Sequence, residues 1–284
     1  MPATLYALTA ILLWSSLALF ANRLNHIPSL LLTGLGLIVG GLIGLPFIRQ
    51  WKVPWRTFWV GSAGIFGYHF FYFSAFRFSP AVETNLVNYL WPLLIVMLTP
   101  LYFRHFSLRP QHILGSLMGL AGAAVIMTGG GVKVESAHLP GYLLAAGAAL
   151  IWSNYSLATK KLPLFPSIAV SGFCLVSGTA AVAVFLLTQG GVQPLLDIPL
   201  SSLGTIFLLG LGPLGLAFIT WDAAMKNGDP RTIGALSYLT PLLSTLVLAV
   251  FGVGKLTLAA GLALVLIVGG ALLAGSTPKD PSAG

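Results

Sequence analysis

Long apolar runs separated by short polar breaks follow one another down the whole chain. Ten can be marked, over approximately 3–22, 28–48, 57–77, 80–102, 110–129, 140–160, 166–188, 201–224, 230–252 and 257–275. A helix needs roughly 20 mostly apolar residues to cross the hydrocarbon core of a bilayer, so each run predicts one transmembrane helix. The runs nearly exhaust the 284 residues and leave no length for a soluble catalytic or DNA-binding domain. The pattern predicts an all-α membrane protein and one membrane domain over 1–284.

The polar positions inside these runs are few and grouped. Asn85, Asn88, Tyr89 and Pro92 stand at i, i+3, i+4 and i+7 and share one helical face. Polar side chains on a lipid-facing surface are costly unless partnered or wet, so this face predicts a cavity. Tyr68 and Tyr72 are one turn apart with His69 beside them. Trp152, Tyr155, Ser156 and Thr159 form a stripe in the sixth run, and the ninth offers Ser237, Tyr238, Pro241 and Ser244.

The groups repeat. Trp14-Ser15, Leu19, Arg23-Leu24 in the first run match Trp152-Ser153, Leu157, Lys161-Leu162 in the sixth at identical spacing. Tyr89-Leu90-Trp91-Pro92-Leu93-Leu94 is answered by Tyr238-Leu239-Thr240-Pro241-Leu242-Leu243. Gly64, Gly67, Phe70 and Ala75 pair with Gly212, Gly215, Phe218 and Ala223. The chain therefore reads as two repeats, 3–129 and 140–275, of five helices each. An odd number of crossings per repeat makes the two halves inverted, and inverted halves are the arrangement alternating access uses, with substrate near the midplane.

Composition agrees with the pattern: 57% of residues are hydrophobic, 7% are charged and the mean hydropathy is +0.93, against about a quarter charged in soluble domains. The net charge of +8 forms no nucleic-acid patch, because the cations punctuate the gaps between runs. With both termini cytoplasmic, the inner side holds Arg49, Lys52, Arg56, Arg104, Arg109, Lys160, Lys161, Lys226, Arg231 and Lys279, and the outer side only Arg23, Arg77, Lys133 and Lys255. That asymmetry is the positive-inside pattern. The first run, with no preceding Lys or Arg and no small-residue cleavage site, reads as a retained helix.

Several features have structural readings beside functional ones. Gly36, Gly40, Gly44, Gly115 and Gly119 form small-residue rows that let helices approach. Gly210-x-Gly212-x-x-Gly215 matches a dinucleotide fingerprint by letters, but it lies inside an apolar run with no strand before it. Trp51, Trp55 and Trp59 suit the interfacial aromatic belt, whereas Tyr89, Trp91 and Tyr238 lie too deep for it and read as packing or as ligand-facing. Pro92 and Pro241 free a carbonyl one turn back, as hinges or as packing bends. Glu83, Asp222 and His69 read as proton or cation sites, or as helix-end carboxylates and a hydrogen-bonded core histidine. Lone Cys174 excludes an internal disulfide, and no cluster of metal-ligand type or nucleophile with a base is present, so neither an enzyme nor a cofactor is expected.

Ten runs in two halves with these Trp-Ser and Tyr-Leu-x-Pro-Leu-Leu motifs resemble the drug/metabolite transporter superfamily, specifically its EamA-type branch. The stretch Val87-Asn88-Tyr89-Leu90-Trp91-Pro92, with Tyr68-His69-Phe70-Phe71-Tyr72 before it, is similar to the aromatic amino acid exporters of that branch. The resemblance implies a bacterial inner-membrane exporter working as a monomer, a basket of helices around a central cavity, and amino acids as substrates. By matching position it implies Tyr68, Tyr72, Tyr89, Trp91 and Trp152 as cavity-lining residues. Many relatives carry a glutamate after the last long span of each half. Here those places read Phe103-Arg104-His105 and Gly254-Lys255, so no role of those acids carries over. Two rival readings are efflux of lipophilic cations, with Glu83 or Asp222 as counter-ion, and a non-transporting scaffold or membrane-bound enzyme.

Overall fold

The computed structural model describes residues 2–129, 135–253 and 257–275. Lys133, Gly254, Lys255 and Lys279, used in the charge and motif readings, lie outside the described residues. The described residues are helical, with no strand among them. Their helices group into ten segments: α1 Ala3–Arg23, α2 Ser29–Leu42, α3 Trp55–Ala75, α4 Ala81–Tyr102, α5 Pro110–Thr128, α6 Leu139–Lys161, α7 Ser167–Gly190, α8 Leu200–Asn227, α9 Pro230–Val250 and α10 Leu258–Gly275.

Proline sets most of the boundaries. Pro2, Pro28, Pro54, Pro80, Pro166 and Pro199 stand at the cap before a helix, and Pro110, Pro140 and Pro230 fall in the first turn. There the missing N–H has no intrahelical partner to lose. Of the ten segments, 7 are long and apolar enough to cross a membrane, or 8 when α2 is joined to the turn that follows it. The other two, α3 and α6, have 21 and 23 residues, but Tyr, His, Trp, Ser, Asn and Lys side chains dilute their apolarity.

Two boundaries differ from the sequence expectation. The second run was expected to continue to residue 48, yet its α-helix stops at Leu42 and the chain bends by 81° into the 3-10 turn Leu45–Trp51. Pro46 within that turn cannot donate to the preceding helix, which explains the stop. The eighth run, expected to end at residue 224, extends through Asn227. Lys226 therefore belongs to a helix end rather than a loop.

Breaks inside the helices fall on the repeated motif. The helix of α4 is interrupted at Tyr89 and that of α9 at Ser237 and Tyr238, in each case one turn before the motif's proline. Pro92 and Pro241 deprive the carbonyls of Asn88 and Ser237 of a donor, so the interruptions follow from the ring chemistry. In α8 a π-turn spans Gly212–Leu216.

Helix packing follows the repeat. Helix α3 packs on α6 and α1 on α8; α4 meets α6 and α1 meets α9; α3 meets α7 and α2 meets α8. The pairs α2–α7, α4–α9 and α5–α10 complete the principal contacts. Exchanging α1–α5 with α6–α10 returns the same set. The glycine rows sit at these crossings: Gly36 and Gly40 face Leu214 of α8, Gly115 faces the backbone of Gly270, and Gly119 faces the Tyr238 ring. A Cβ at any of them would collide, so close helix approach accounts for the rows. Gly210 and Gly215 likewise pack on α2, which agrees with reading their fingerprint as a coincidence of letters.

Candidate functional site

The two repeated motifs hold each other across the halves. Ser15 of α1 places its hydroxyl 2.7 Å from the Ile11 carbonyl and 3.3 Å from the Thr240 carbonyl of α9. Ser153 of α6 sits 2.6 Å from the Ala149 carbonyl and 3.0 Å from the Trp91 carbonyl of α4. Each hydroxyl proton is shared between its own helix and the partner half's Tyr-Leu-x-Pro segment. This fixes the tryptophan that precedes each serine beside the segment facing it.

A cavity of about 660 Å³ lies above that junction. Its floor is aromatic: Trp14, Trp91, Trp152 and Phe218, from α1, α4, α6 and α8. Trp14 lies 5.8 Å from Trp152 and 6.3 Å from Trp91, edge-on in both cases. Trp221 closes the floor from below at 5.2 Å from Trp14, and its Nε1–H donates to Ser156 Oγ at 3.0 Å. Edge-to-face aromatic pairs contribute roughly 0.5–1.5 kcal/mol each beyond area burial, so this cluster is a stiff base rather than a deformable one.

One wall carries the polar face anticipated in the sequence. Tyr68 and Tyr72 stack at 5.7 Å with planes 6° apart. The Tyr72 hydroxyl donates to Asn85 Oδ1, and Asn85 Nδ2 donates to the Ala81 carbonyl at 2.8 Å. Asn88 Nδ2 donates to the Tyr68 oxygen at 3.2 Å, whereas Asn88 Oδ1 is buried with no hydrogen-bond partner among the described residues. Thr240, across the cavity, has a buried hydroxyl in the same condition. Both residues line the cavity, while these two oxygens themselves are sealed from it in this conformation.

His69 also lines the wall, with its ring Nδ1 2.8 Å from the Ile65 carbonyl to which it donates. Tyr89 completes the group, and Ser244 and Thr33 add hydroxyls. No Asp, Glu, Lys or Arg among the described residues lines the cavity.

The structure does not bring every anticipated residue to this wall. Tyr155 is buried 5.2 Å from Trp152 on the side facing Gly64 of α3. Ser237 is fully buried, donating to the Ile233 carbonyl at 2.9 Å. Tyr238 is fully buried in a separate apolar cluster with Ala123, Leu242, Ala263 and Ile267, and its hydroxyl donates to the Tyr89 carbonyl at 3.2 Å. The gap left by Gly119 admits that ring, so Tyr238 packs inward while its repeat mate Tyr89 lines the cavity. Glu83 stands half-buried in the first turn of α4, off the wall.

Asp222 lies beneath the floor, ion-paired to Lys226 at 2.6 Å. Pro92 and Pro241 are buried next to the breaks already described. Trp14, Phe218 and Thr240 were passed over by the sequence reading as wall residues, although each is the repeat mate of a residue it had singled out or aligned: Trp152, Phe70 and Trp91.

Among the described residues the cavity opens at one end. Exposed Ala21, Asn22 and Ser29 form its rim, at the end where α1 finishes and α2 begins. The opposite end is filled by side chains from both halves. Lys226 Nζ donates to the Phe165 carbonyl at 2.9 Å, and Lys160 Nζ to the carbonyls of Lys226 and Gly228, both at 3.0 Å. Both ammonium groups thus sit on carbonyls, those of Lys226 and Gly228 at the C-terminus of α8, where the helix dipole favours positive charge. The Tyr102 hydroxyl donates to Asn154 Oδ1 at 2.7 Å, tying α4 to α6. Helix α6 meets the end of α8 here, whereas the repeat-related pair α1 and α3 flanks the cavity.

Comparison with known proteins places this geometry. The profile of the EamA-like transporter family matches twice, over residues 1–128 and 139–276. The aromatic amino acid exporter YddG of Ancylobacter novellus is 43% identical over 284 residues, covering 96% of each chain, and the YddG of Salmonella typhimurium is 27% identical over 95% and 96%. A crystal structure 43% identical in sequence superposes with a TM-score of 0.89 over 96% of both chains. With the family profile spanning both halves, the chain is a member of the EamA-like transporter family, a family of membrane transporters and not of enzymes.

Proposed function

We propose that the protein exports neutral amino acids, aromatic ones included, across the bacterial inner membrane, by alternating access of two inverted five-helix halves about the aromatic cavity. The observation that carries the substrate reading is the cavity wall: aromatic faces for an apolar side chain, amide and hydroxyl side chains for the zwitterion, and no Asp, Glu, Lys or Arg among the described lining residues. Such a site accepts both poles of an amino acid without demanding a net charge, and suits a range of side chains. The names of the relatives, aromatic amino acid exporters, support the same substrate class.

Two matches of one family profile, and principal helix pairs that recur when the halves are exchanged, support a pseudo-twofold repeat. Five crossings per half then make the halves antiparallel. The ten segments are read as ten spans, with α2 bent and α3 and α6 the least apolar because they carry Tyr68, Tyr72 and Trp152. The excess of Lys and Arg in the connections from α2 to α3 and from α4 to α5, and at the ends of α6 and α8, supports cytoplasmic termini, which orients the open end outward. Pro92 and Pro241, beside the breaks in α4 and α9, are the hinges. The cavity is complete within one chain, so a monomer suffices.

The cation-efflux alternative needs a carboxylate at the substrate. Glu83 and Asp222 both lie off the wall, which favours the amino acid. Purified protein in liposomes loaded with labelled phenylalanine tests the choice. Unlabelled leucine, threonine and tryptophan should compete with the label while tetraphenylphosphonium does not, with and without an imposed pH gradient. Competition by the cation alone would transfer the site to the alternative.

A further inference from the structure

We infer that Arg231 is a clasp that holds the halves together at the end opposite the cavity mouth, and that the place of Val82 at the corresponding position of the first half sets the resting state of the empty protein. The inference rests on the alternating-access reading and adds to it which state is favoured and by which side chain. Arg231 is 4% exposed at the start of α9, in the second half. Its Nε lies 3.0 and 3.1 Å from the two carboxylate oxygens of Asp229, and its Nη2 lies 2.7 Å from Oδ2. Asp229 itself caps α9 by accepting from the Arg231 backbone N–H at 2.9 Å.

The remaining side of the guanidinium crosses to the first half. Its Nη1 donates to the Ser107 carbonyl, and its carbon sits 4.8 Å above the ring of buried Phe106, in the connection between α4 and α5. Separating the halves would strip the Ser107 carbonyl of its donor and Phe106 of its cation, while the Asp229 pair, two residues away in the same half, would travel with Arg231. Separation of the halves at this end would uncover it.

The repeat separates contacts that belong to one state from contacts that persist. Lys161 lies 5.7 Å from the Tyr102 ring, and its repeat mate Arg23 lies 5.6 Å from Phe251, the mate of Tyr102. That cation–π pair is formed at both the closed and the open end, so it does not select between them. In the register that pairs Tyr89 with Tyr238, Arg231 corresponds to Val82, and Tyr102 corresponds to a phenylalanine that has no hydroxyl to donate. The sequence thus supplies the clasp and the Tyr102–Asn154 bond to one end only. The mouth end has a cross-half bond of its own, between His26 Nε2 and Ser202 Oγ at 3.1 Å, but it involves no carboxylate or guanidinium, so the balance favours the conformation closed at Arg231 and open at the mouth.

The test measures distance, not flux. In a Cys174→Ser background, spin labels go on Arg104→Cys and Leu164→Cys, exposed positions on either half beside the clasp but outside it, and pulsed electron paramagnetic resonance is recorded in substrate-free liposomes. The native residue should give one dominant short distance. Arg231→Ala should add a longer one, raising the ratio of long to short about tenfold or more, and Arg231→Lys should fall between. If Arg231→Ala does not fold, Tyr102→Phe, which deletes one hydroxyl, should shift the distribution the same way by less. An unmoved distribution in a folded Arg231→Ala protein overturns the clasp. A dominant long distance with Arg231 present overturns the resting state. Both results are read without substrate, so they stand apart from any failure to transport amino acids, which the flux assay alone would reveal.

Discussion

The hydroxyl of Ser153 lies 3.0 Å from the backbone carbonyl of Trp91, and through that contact a motif of one half grips the motif of the other. Ser15 and Thr240 repeat the arrangement at 3.3 Å. Interhelical hydrogen bonds of this kind in membranes average about 0.6 kcal/mol. Ser15→Ala and Ser153→Ala should therefore each lower unfolding free energy by about that amount, measured by SDS titration of the protein in mixed micelles, because the two sites share one environment. A loss confined to one of them would show that the motif contacts are not equivalent.

The floor of the cavity includes a residue that its repeat mate points to. Trp14 faces Trp152 at 5.8 Å and lines the same space. Trp14→Ala, Trp152→Ala and Tyr89→Ala should each weaken half-saturation for phenylalanine by roughly tenfold or more, the scale expected for truncating a buried aromatic anchor. Membrane insertion should be unchanged, and a fluorescence size-exclusion profile checks that.

Carboxylates off the wall should separate by role. Glu83→Gln should leave phenylalanine flux at the native level, since Glu83 touches neither wall nor floor. Asp222→Asn leaves the buried Lys226 ammonium without the counter-charge it now has at 2.6 Å, and an uncompensated buried charge costs about 3–5 kcal/mol. A thermal shift assay should show the large loss for Asp222→Asn and none for Glu83→Gln.

Close packing of α3 on α6 makes a third contrast. A Cβ on Gly64 would sit 2.6 Å from Cδ2 of the Tyr155 ring, whereas one on Gly261 of α10 meets nothing within 4 Å. Gly64→Ala should destabilise by about 1–3 kcal/mol through overpacking. Gly261→Ala should be neutral or slightly stabilising, because alanine favours the helix. Melting temperatures of the purified variants decide it.

Much of this was legible in the sequence because membrane burial leaves so few polar residues to place. The i, i+3, i+4 spacing of Asn85, Asn88 and Tyr89 put them on one face, and the cavity has that face as a wall. The repeat also supplied the correspondences from which Trp14 and Thr240 could have been taken as wall residues.

Helical periodicity does not reveal which of two equivalent tyrosines faces outward. Tyr89 lines the cavity and Tyr238 does not, a difference set by the space at Gly119, a residue more than a hundred positions away in the chain. Nor did hydropathy anticipate the closed end. Lys160, Lys226 and Arg231 read as loop cations, yet each donates to a backbone carbonyl of a distant segment.

The central claim is that an uncharged aromatic cavity carries amino acids across the membrane. Efflux of labelled phenylalanine from liposomes containing the purified native protein, compared with Trp152→Ala and with empty vesicles, tests it most directly. The account predicts efflux well above the empty vesicles for the native protein and a rate near theirs for the variant. Native efflux no faster than from empty vesicles, or a variant as fast as the native protein, would contradict it.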